Sequence, residues 1–212
     1  MKILSKAFVL LGSAMILCAA ALLVFNHRED ARAKHQSDQV LVQLEQMLPQ
    51  AAHVSAPIGA DLSFSAEEPA LTEAREMPVK TMDGREYIGF LSVDTLNLSL
   101  PVLSQWSYEG LKIAPGRYSG SVYTGDLVIC AHNYSSHFGQ LPYLPIGTPI
   151  QFTDMDGMVW DYTLAAVETL HPDQLEEMTE PGMDTQWDMT LFTCTPGGQA
   201  RTALRCICSG AF

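Results

Sequence analysis

The chain has 212 residues, of which 47% are hydrophobic and 17% charged, so it can fill one hydrophobic core beside an accessory segment but is too short for two large domains. With 24 acidic and 12 basic residues its net charge is −12, which excludes the basic patch needed to bind a nucleic-acid backbone. Its five cysteines are an odd number without C-x-x-C spacing, which argues against a disulfide scaffold and a structural zinc site.

An unbroken apolar run occupies residues 7–25. As a helix rising ~1.5 Å per residue it reaches about 28 Å, close to the thickness of a bilayer core. Lys2 and Lys6 precede it, so the positive-inside rule favours a cytoplasmic N-terminus and an exported remainder. A cleaved signal peptide is the alternative, although the run exceeds a usual apolar h-region. We predict a cytoplasmic tail and a signal-anchor transmembrane helix over residues 1–28, in a single-pass protein of the cell membrane.

An extracellular amphipathic helix and a linker are expected over residues 29–83. Between residues 37 and 48 the apolar residues recur at helical spacing. This helix could pack on the following domain, act as a stalk or cover a site. Residues 49–83 mix Pro, Ala, Ser and Glu without a sustained period, which is typical of a linker.

The folded domain is expected at residues 84–212, where short strand-like runs are separated by turn residues. The runs are residues 87–93, 98–103, 125–130, 149–153, 160–167, 189–194 and 202–208. Their even spacing predicts a mainly β fold, either a barrel or a sandwich. Residues 172–178 predict one helical turn inside a long connection.

A cysteine stands at the end of one predicted strand. In residues 189–198, which read MTLFTCTPGG, Cys194 is followed almost at once by a Pro-Gly-Gly turn. A strand that fixes the sulfur, next to a loop that admits a substrate carbonyl, suits a thiol nucleophile. A buried structural thiol is the alternative reading. We predict that Cys194 is the nucleophile.

His132 follows the apolar run of residues 127–131 and so also lies at a strand end. Imidazole is the acid or base best matched to neutral pH, and it can protonate a departing amine that a thiolate alone cannot expel. We expect His132 to meet Cys194 at the rim of the domain. His137, in a polar loop, is the reserve candidate.

Two late arginines are candidates to stabilise a developing oxyanion. From residue 84 onward Lys and Arg are scarce, with Arg201 and Arg205 the last of five. The strand at residues 202–208 is expected to pair antiparallel with the strand that carries Cys194. A permanently charged, planar guanidinium suits an oxyanion and favours a thiolate. We expect Arg205 rather than Arg201 to take this role, with a surface salt bridge as the alternative for Arg205.

Three segments carry a family resemblance. Residues 190–194 read TLFTC and fit the signature T-L-x-T-C. Residues 125–133 resemble a strand that ends in a glycine and a catalytic histidine, with Ala131 in place of the glycine, and residues 111–121 resemble the segment before that strand. Over about residues 86–212 the chain resembles the sortase family, surface-protein transpeptidases of mainly Gram-positive bacteria.

The resemblance implies an eight-stranded sortase-type β-barrel with short helices, preceded by the transmembrane helix and placed outside the cell. It implies a cysteine transpeptidase that cleaves a sorting motif, often LPxTG-like, in surface proteins or pilins. The acyl chain would pass from the thioester of Cys194 to an amine of a cell-wall precursor or a pilin lysine. Features of class B and of classes C and D are mixed, so the subclass stays open.

The site expected from the residues and the resemblance together has catalytic and substrate-binding members. The catalytic residues are Cys194, His132 and Arg205, and the substrate-binding residues are Thr193, Asn133 and Ala131. The acidic residues show no calcium-loop spacing. We expect no metal ligand, no cofactor and no nucleic-acid partner.

Two other functions stay open at this point. An L,D-transpeptidase also places a histidine before a cysteine on an all-β core, but such enzymes carry a Ser-His-Gly-Cys element, whereas Phe192 and Thr193 precede Cys194 here. The non-enzyme alternative is an inactive membrane-anchored binding module in which Cys194 is a buried structural thiol.

Overall fold

The computed structural model describes residues 2–48, 75–179 and 187–211. Within these residues it contains two α-helices and nine strands. They are α1 (Lys2–Met47), β1 (Lys80–Met82), β2 (Arg85–Val93), β3 (Leu98–Leu103), β4 (Gly116–Ser119), β5 (Leu127–Ala131), β6 (Pro149–Asp154), β7 (Val159–Leu170), α2 (Leu175–Thr179), β8 (Met189–Cys194) and β9 (Arg201–Ala211).

Eight of the strands close into a barrel in the order β2-β3-β4-β5-β8-β9-β7-β6, and β6 pairs back onto β2. Phe90 lies opposite Thr153 at this closing seam. β1 adds a short hairpin arm to β2 across a turn in which Asp83 and Gly84 both have positive φ. The mainly β fold predicted from the strand pattern and the eight-stranded barrel implied by the family resemblance are confirmed.

All seven predicted runs are strands, whereas β1 and β4 were not expected from the sequence. β4 has only four residues and reads GRYS, so it shows no alternation of apolar and polar residues. Tertiary pairing makes it a strand: Gly116 lies opposite Cys130 on β5 and opposite Leu103 on β3. The helical turn predicted in the long connection after β7 is α2.

β5 is buried on both faces, and this positions the site. Leu127 and Ile129 point into the barrel core, while Val128 and Cys130 belong to a second apolar cluster with Met178 of α2 on the outer face. Burying such side chains stabilises the fold by roughly 1.5–3 kcal/mol each for the larger ones. The end of β5 is therefore held rigidly between the barrel interior and the connection that carries α2.

Helix α1 continues without interruption from the apolar run into the segment expected to be a separate amphipathic helix. One helix, Lys6–Met47, includes a window with a mean hydropathy of 2.7, and that window is entirely exposed. Farther along, Ala33, Ser37 and Leu44 are buried against the barrel. Leu44 joins a cluster with Met82, Tyr87, Leu103, Ala114 and Met155. The C-terminal half of α1 is thus part of the folded domain.

Much of the expected linker, residues 49–74, lies outside the described residues. Its last part joins the barrel, because Met77 belongs to the main core and Lys80–Met82 forms β1. Met77 and β1 are therefore packed with the barrel although they precede the expected boundary at residue 84.

Candidate active site

Two neighbouring parallel strands bring the candidate nucleophile and the candidate acid/base to one end of the barrel. β5 and β8 pair in parallel, with Ala131 opposite Thr193. Cys194 ends β8 and His132 follows β5, so each residue lies one position beyond this pair. A buried hydrogen bond of 2.9 Å from Thr193 Oγ1 to the carbonyl oxygen of Ala131 joins the two strands just below them. The structure therefore brings Cys194 and His132 to the same end of the barrel.

A groove of about 230 Å³ passes over Cys194, His132 and Arg201. Its lining is mostly apolar. One side carries Trp106, Tyr108 and Tyr118, and the other carries Pro172, Leu175 and Met178 from the connection around α2. Stacking of Trp106 on Tyr118, with ring centroids 5.7 Å apart, stiffens the aromatic side. This lining could not be assembled from the sequence, because its residues come from segments far apart in the chain.

A second cleft, of about 270 Å³, shares Cys194 with the groove. Asn133, Tyr143 and Thr202 line it, and Thr193 and Cys194 belong to both clefts. Cys194 therefore lies where the two clefts meet. One cleft is mainly apolar and aromatic, and the other offers hydroxyl and amide groups.

The environment of His132 favours the neutral imidazole. Burial lowers the pKa of His132, and the positive charge of Lys112 lowers it further. The ring packs against Tyr134 at a centroid distance of 5.0 Å. Cys194 is only partly buried, so its sulfur is open to the groove. At neutral pH a neutral imidazole beside an accessible thiol can accept the thiol proton as the sulfur attacks.

The reserve candidate is not at the groove. His137 is completely buried and lines neither cleft. Burial lowers its pKa to about 4, so it is neutral at pH 7 and has no access to a substrate.

Arg201 is the arginine at the groove. It lies directly opposite Cys194 across the β8–β9 ladder, and it lines the groove with Cys194 and His132. Its Nη1 donates hydrogen bonds of 3.2 Å and 3.1 Å to the carbonyl oxygens of Gly198 and Ala200 in the turn between the strands. Among the described residues no carboxylate forms an ion pair with Arg201. Its guanidinium can therefore face a substrate oxygen.

The structure does not bring Arg205 to the groove, contrary to the expectation that Arg205 would stabilise the oxyanion there. Arg205 lies opposite Thr190, four residues farther along β9, which is about 13 Å at ~3.3 Å per residue. It is 1% exposed. Nε forms an ion pair with Glu168 Oε2 at 3.0 Å, and Nη1 donates to Thr190 Oγ1 at 2.9 Å. The guanidinium is thus fully engaged on the outer face of the barrel.

Arg205 also holds the connection that forms one side of the groove. Nη1 donates to the carbonyl oxygen of Met178 at 3.4 Å, and Nη2 donates to that of Glu177. The guanidinium carbon lies 4.3 Å from the ring centroid of Trp187. These contacts attach α2 and the start of β8 to β9.

The three expected substrate-binding residues line the clefts in different ways. Ala131 and Thr193 are nearly inaccessible at the floor of the groove, and the Thr193 hydroxyl is already engaged with the Ala131 carbonyl. Asn133 is exposed and lines the second cleft. Among the described residues no group of three or more His, Cys, Asp or Glu side chains could hold a metal ion.

The barrel domain matches known proteins. A sortase-domain family model matches residues 91–211, more than half of the chain. Sortase A from Corynebacterium diphtheriae has a TM-score of 0.53 and 25% identity, over 59% of this chain and 62% of that one. Sortase C1 of GBS pilus island 1 has a TM-score of 0.50 and 22% identity, over 58% of this chain and 64% of that one.

Sortase C from Streptococcus pneumoniae also shares the fold, with a TM-score of 0.51 and 22% identity over 58% of this chain and 67% of that one. The chain spans less than two thirds of the length of the first two structures. A search of curated proteins gives no match. Because the family model matches more than half of the sequence, the chain belongs to the sortase family.

Proposed function

We propose that the chain is a cysteine transpeptidase that cleaves a sorting motif in a surface protein or pilin and transfers the acyl chain to an amine. The observation that carries this proposal is the register of β5, β8 and β9. It brings the thiol of Cys194, the imidazole of His132 and the guanidinium of Arg201 to one groove at one end of the barrel. Acyl transfer through a thioester requires a nucleophile, an acid/base and an oxyanion stabiliser, and these three groups can supply them in that order.

In the acylation step the Cys194 sulfur attacks the carbonyl carbon of the scissile amide and its proton passes to His132. The carbonyl oxygen becomes an oxyanion, which the Arg201 guanidinium stabilises. Collapse of the tetrahedral intermediate breaks the C–N bond, and His132 gives its proton to the departing amine. The product is a thioester on Cys194 and a neutral His132.

In the second step an acceptor amine gives a proton to His132 as its nitrogen attacks the thioester carbonyl. A second oxyanion forms beside Arg201. It collapses with loss of the thiolate, which regains the proton from His132 and restores the thiol. The new amide leaves, and the proton count of the enzyme is unchanged over the cycle.

The two clefts suggest how donor and acceptor divide the site. The apolar groove between Trp106 and Leu175 suits the Leu-Pro part of an LPxTG-like motif, since both side chains are apolar. The second cleft, with Asn133 and Thr202, offers polar groups to an amine acceptor from a cell-wall precursor or a pilin lysine. We assign the donor to the groove and the acceptor to the second cleft.

The exposed apolar part of α1 supports single-pass anchoring in the cell membrane, with the barrel outside. We propose residues 1–28 as the cytoplasmic tail and anchor. In this scheme the catalytic domain proper is residues 84–212, and residues 29–83 link it to the anchor while packing on it through the C-terminal half of α1 and through β1.

The test uses the full chain in lipid vesicles with a library of sorting-motif peptides and a set of amines. Mass spectrometry should detect a thioester on Cys194 and a peptide–amine product. Cys194→Ala should abolish both without changing the circular dichroism spectrum. A Cys194 that resists thiol reagents and all peptides would instead indicate a binding module, and product formation by Cys194→Ala would refute the assigned nucleophile.

A further inference from the structure

Helix α1 shows no break between its apolar part and its docked part. It runs as one α-helix from Lys2 to Met47. Residues 13–48 contain neither proline nor glycine, the residues that most often kink a helix. On its exposed side, Arg32 pairs with Glu29 at 2.7 Å, three residues apart. The exposed apolar segment and the docked segment therefore move as one rigid rod.

The barrel fixes this rod along its C-terminal half. Buried or half-buried positions recur along one face at Asp30, Ala33, Ser37, Val40 and Leu44. This spacing of three and four residues is that of a single helical stripe. Because the stripe contacts the barrel over about 21 Å of helix, the domain cannot swivel about the end of the anchor.

The first contact along the rod is with the loop that follows His132. Asp30 Oδ1 accepts hydrogen bonds from Ser136 N at 2.9 Å and from Ser136 Oγ at 2.6 Å. Ser136 Oγ also lies 3.2 Å from the Asp30 carbonyl oxygen. Burial, and next the charge of Glu29, raises the pKa of Tyr134 in the same loop. The loop beside His132 is thus the first part of the barrel that α1 reaches.

The distance from the membrane follows from the helix rise. Phe25 ends the apolar run, and Asp30 lies five positions farther along the helix, which is about 7.5 Å along the axis. The headgroup layer of a bilayer is itself about 5–8 Å thick on each side. We infer that α1 is a rigid spacer that holds the catalytic groove at the level of the lipid headgroups, so that the enzyme acts on bonds lying directly at the bilayer surface.

This inference rests on the proposed anchoring and transpeptidation. It adds that the groove has a fixed height above the membrane and that one fixed face of the barrel is turned toward the membrane. The surface around Ser135 and Ser136 lies against the headgroups. The surface near Asp156, beside the Leu44 cluster, lies about 21 Å farther along the helix axis. A flexible tether would give neither preference, because the domain could then take any orientation.

The first experiment measures height without using activity. A Cys18→Ala, Cys194→Ala, Cys208→Ala background receives a spin label at Ser135→Cys, with Asp156→Cys as the matched control. Both positions are exposed. Labelled chains in vesicles are exposed to a nickel chelate carried on lipid headgroups. We expect strong relaxation at position 135 and weak relaxation at position 156. Equal relaxation at the two positions would overturn the inference.

The second experiment uses a variant whose groove lies farther from the membrane. Seven helix-forming residues inserted after Phe25 lengthen the rod by about 10.5 Å while turning it by only about 20°. The donor is one sorting-motif peptide, presented either in solution or fused directly to a transmembrane segment in the same vesicles. We expect the inserted variant to process the soluble donor normally and the anchored donor about tenfold more slowly, because the two can no longer meet.

A ten-residue spacer between the motif and its transmembrane segment should restore the rate of the inserted variant. Undiminished processing of the directly anchored donor would refute the fixed height. Failure of the native chain to process either donor would refute the proposed function instead, and the nickel experiment would still decide the height.

Discussion

Cys194 and Arg201 are opposite residues of adjacent antiparallel strands, at the point where β8 ends and β9 begins. The turn between them is held by hydrogen bonds from Thr195 N to the Ala200 carbonyl oxygen at 3.0 Å and from Gly198 N to the Thr195 carbonyl oxygen at 2.8 Å. The candidate nucleophile and the candidate oxyanion stabiliser are thus placed by one tight hairpin. Their relative position depends on the length of this turn and on the β8–β9 register.

Arg201→Met should lower kcat by about 10²–10³ with little change in the affinity for the donor peptide, because the lost interaction forms with the oxyanion and not with the ground state. Arg201→Lys should recover part of the rate, since it keeps the charge and loses the planar fork. Steady-state kinetics on a sorting-motif peptide provide the measurement. Arg85→Met, a change at an exposed arginine of β2, is the control. A kcat equal to that of the control would remove Arg201 from the mechanism.

Thr193→Val removes the 2.9 Å hydrogen bond to the Ala131 carbonyl oxygen while keeping the shape of the side chain. We expect a loss of about 1–3 kcal/mol in the free energy of unfolding, because the buried carbonyl loses its donor. The rate of thioester formation should fall as well, since this bond links the strand ends that carry Cys194 and His132. Thr193→Ser keeps the hydroxyl and should retain most of the rate. Denaturant unfolding and mass spectrometry of the thioester measure the two effects.

The local parts of this fold could be read from the sequence. β3 and β8 have the predicted bounds, and the strand ends at Cys194 and beside His132 follow from apolar runs that stop at polar or turn residues. Closure of the barrel could not be read, because the β2–β6 seam pairs residues far apart in the chain. β4 was missed for the same reason. Its four residues lack a strand pattern of their own, and their strand conformation depends on pairing with β3 and β5.

The choice between the two arginines failed for a different physical reason. Arg201 and Arg205 are four residues apart, so a strand presents both on the same face, and periodicity cannot separate them. The register of the hairpin decides which one meets Cys194. Hydrogen bonds between Thr195 and Ala200 close the turn, so that β9 begins at Arg201. The short Pro-Gly-Gly turn is the feature of the sequence that could have indicated this register. The scarcity of basic residues selects this pair of arginines but cannot tell which of the two lines the groove.

Lys112 offers a test of the acid/base. Its positive charge, after burial, lowers the pKa of His132, because it disfavours the protonated imidazole. Lys112→Met should therefore raise the pKa of His132. The neutral base is lost at a higher pH than in the native chain, so the acidic limb of kcat/KM should move to higher pH. The pH profile of peptide cleavage measures this. Lys80→Met, at an exposed lysine of β1, should leave the limb in place. A limb that moves to lower pH, or moves equally in the control, would contradict the assignment of His132.

Arg205→Met should weaken donor binding and leave the chemical step nearly intact. The change removes the ion pair to Glu168 and the donors to Glu177 and Met178, so the α2 side of the groove loses its attachment to β9. Hydrogen bonds to charged groups contribute about 1.5–3 kcal/mol each, so a loss of about 3 kcal/mol in the free energy of unfolding is expected as well. Peptide affinity, measured in a Cys194→Ala background, should fall about tenfold as Leu175 and Met178 leave the groove wall.

The comparison with Arg201→Met separates positioning from catalysis. If Arg205 only positions the wall, its replacement changes affinity more than kcat, whereas replacement of Arg201 does the reverse. Trp187 emission should shift in Arg205→Met, because the guanidinium 4.3 Å from its ring is removed, and it should not shift in Arg201→Met. Glu168→Gln keeps the size of the partner and removes its charge, so it should give a weaker form of the Arg205→Met phenotype. A kcat loss in Arg205→Met as large as that of Arg201→Met, with unchanged affinity, would return Arg205 to the oxyanion role.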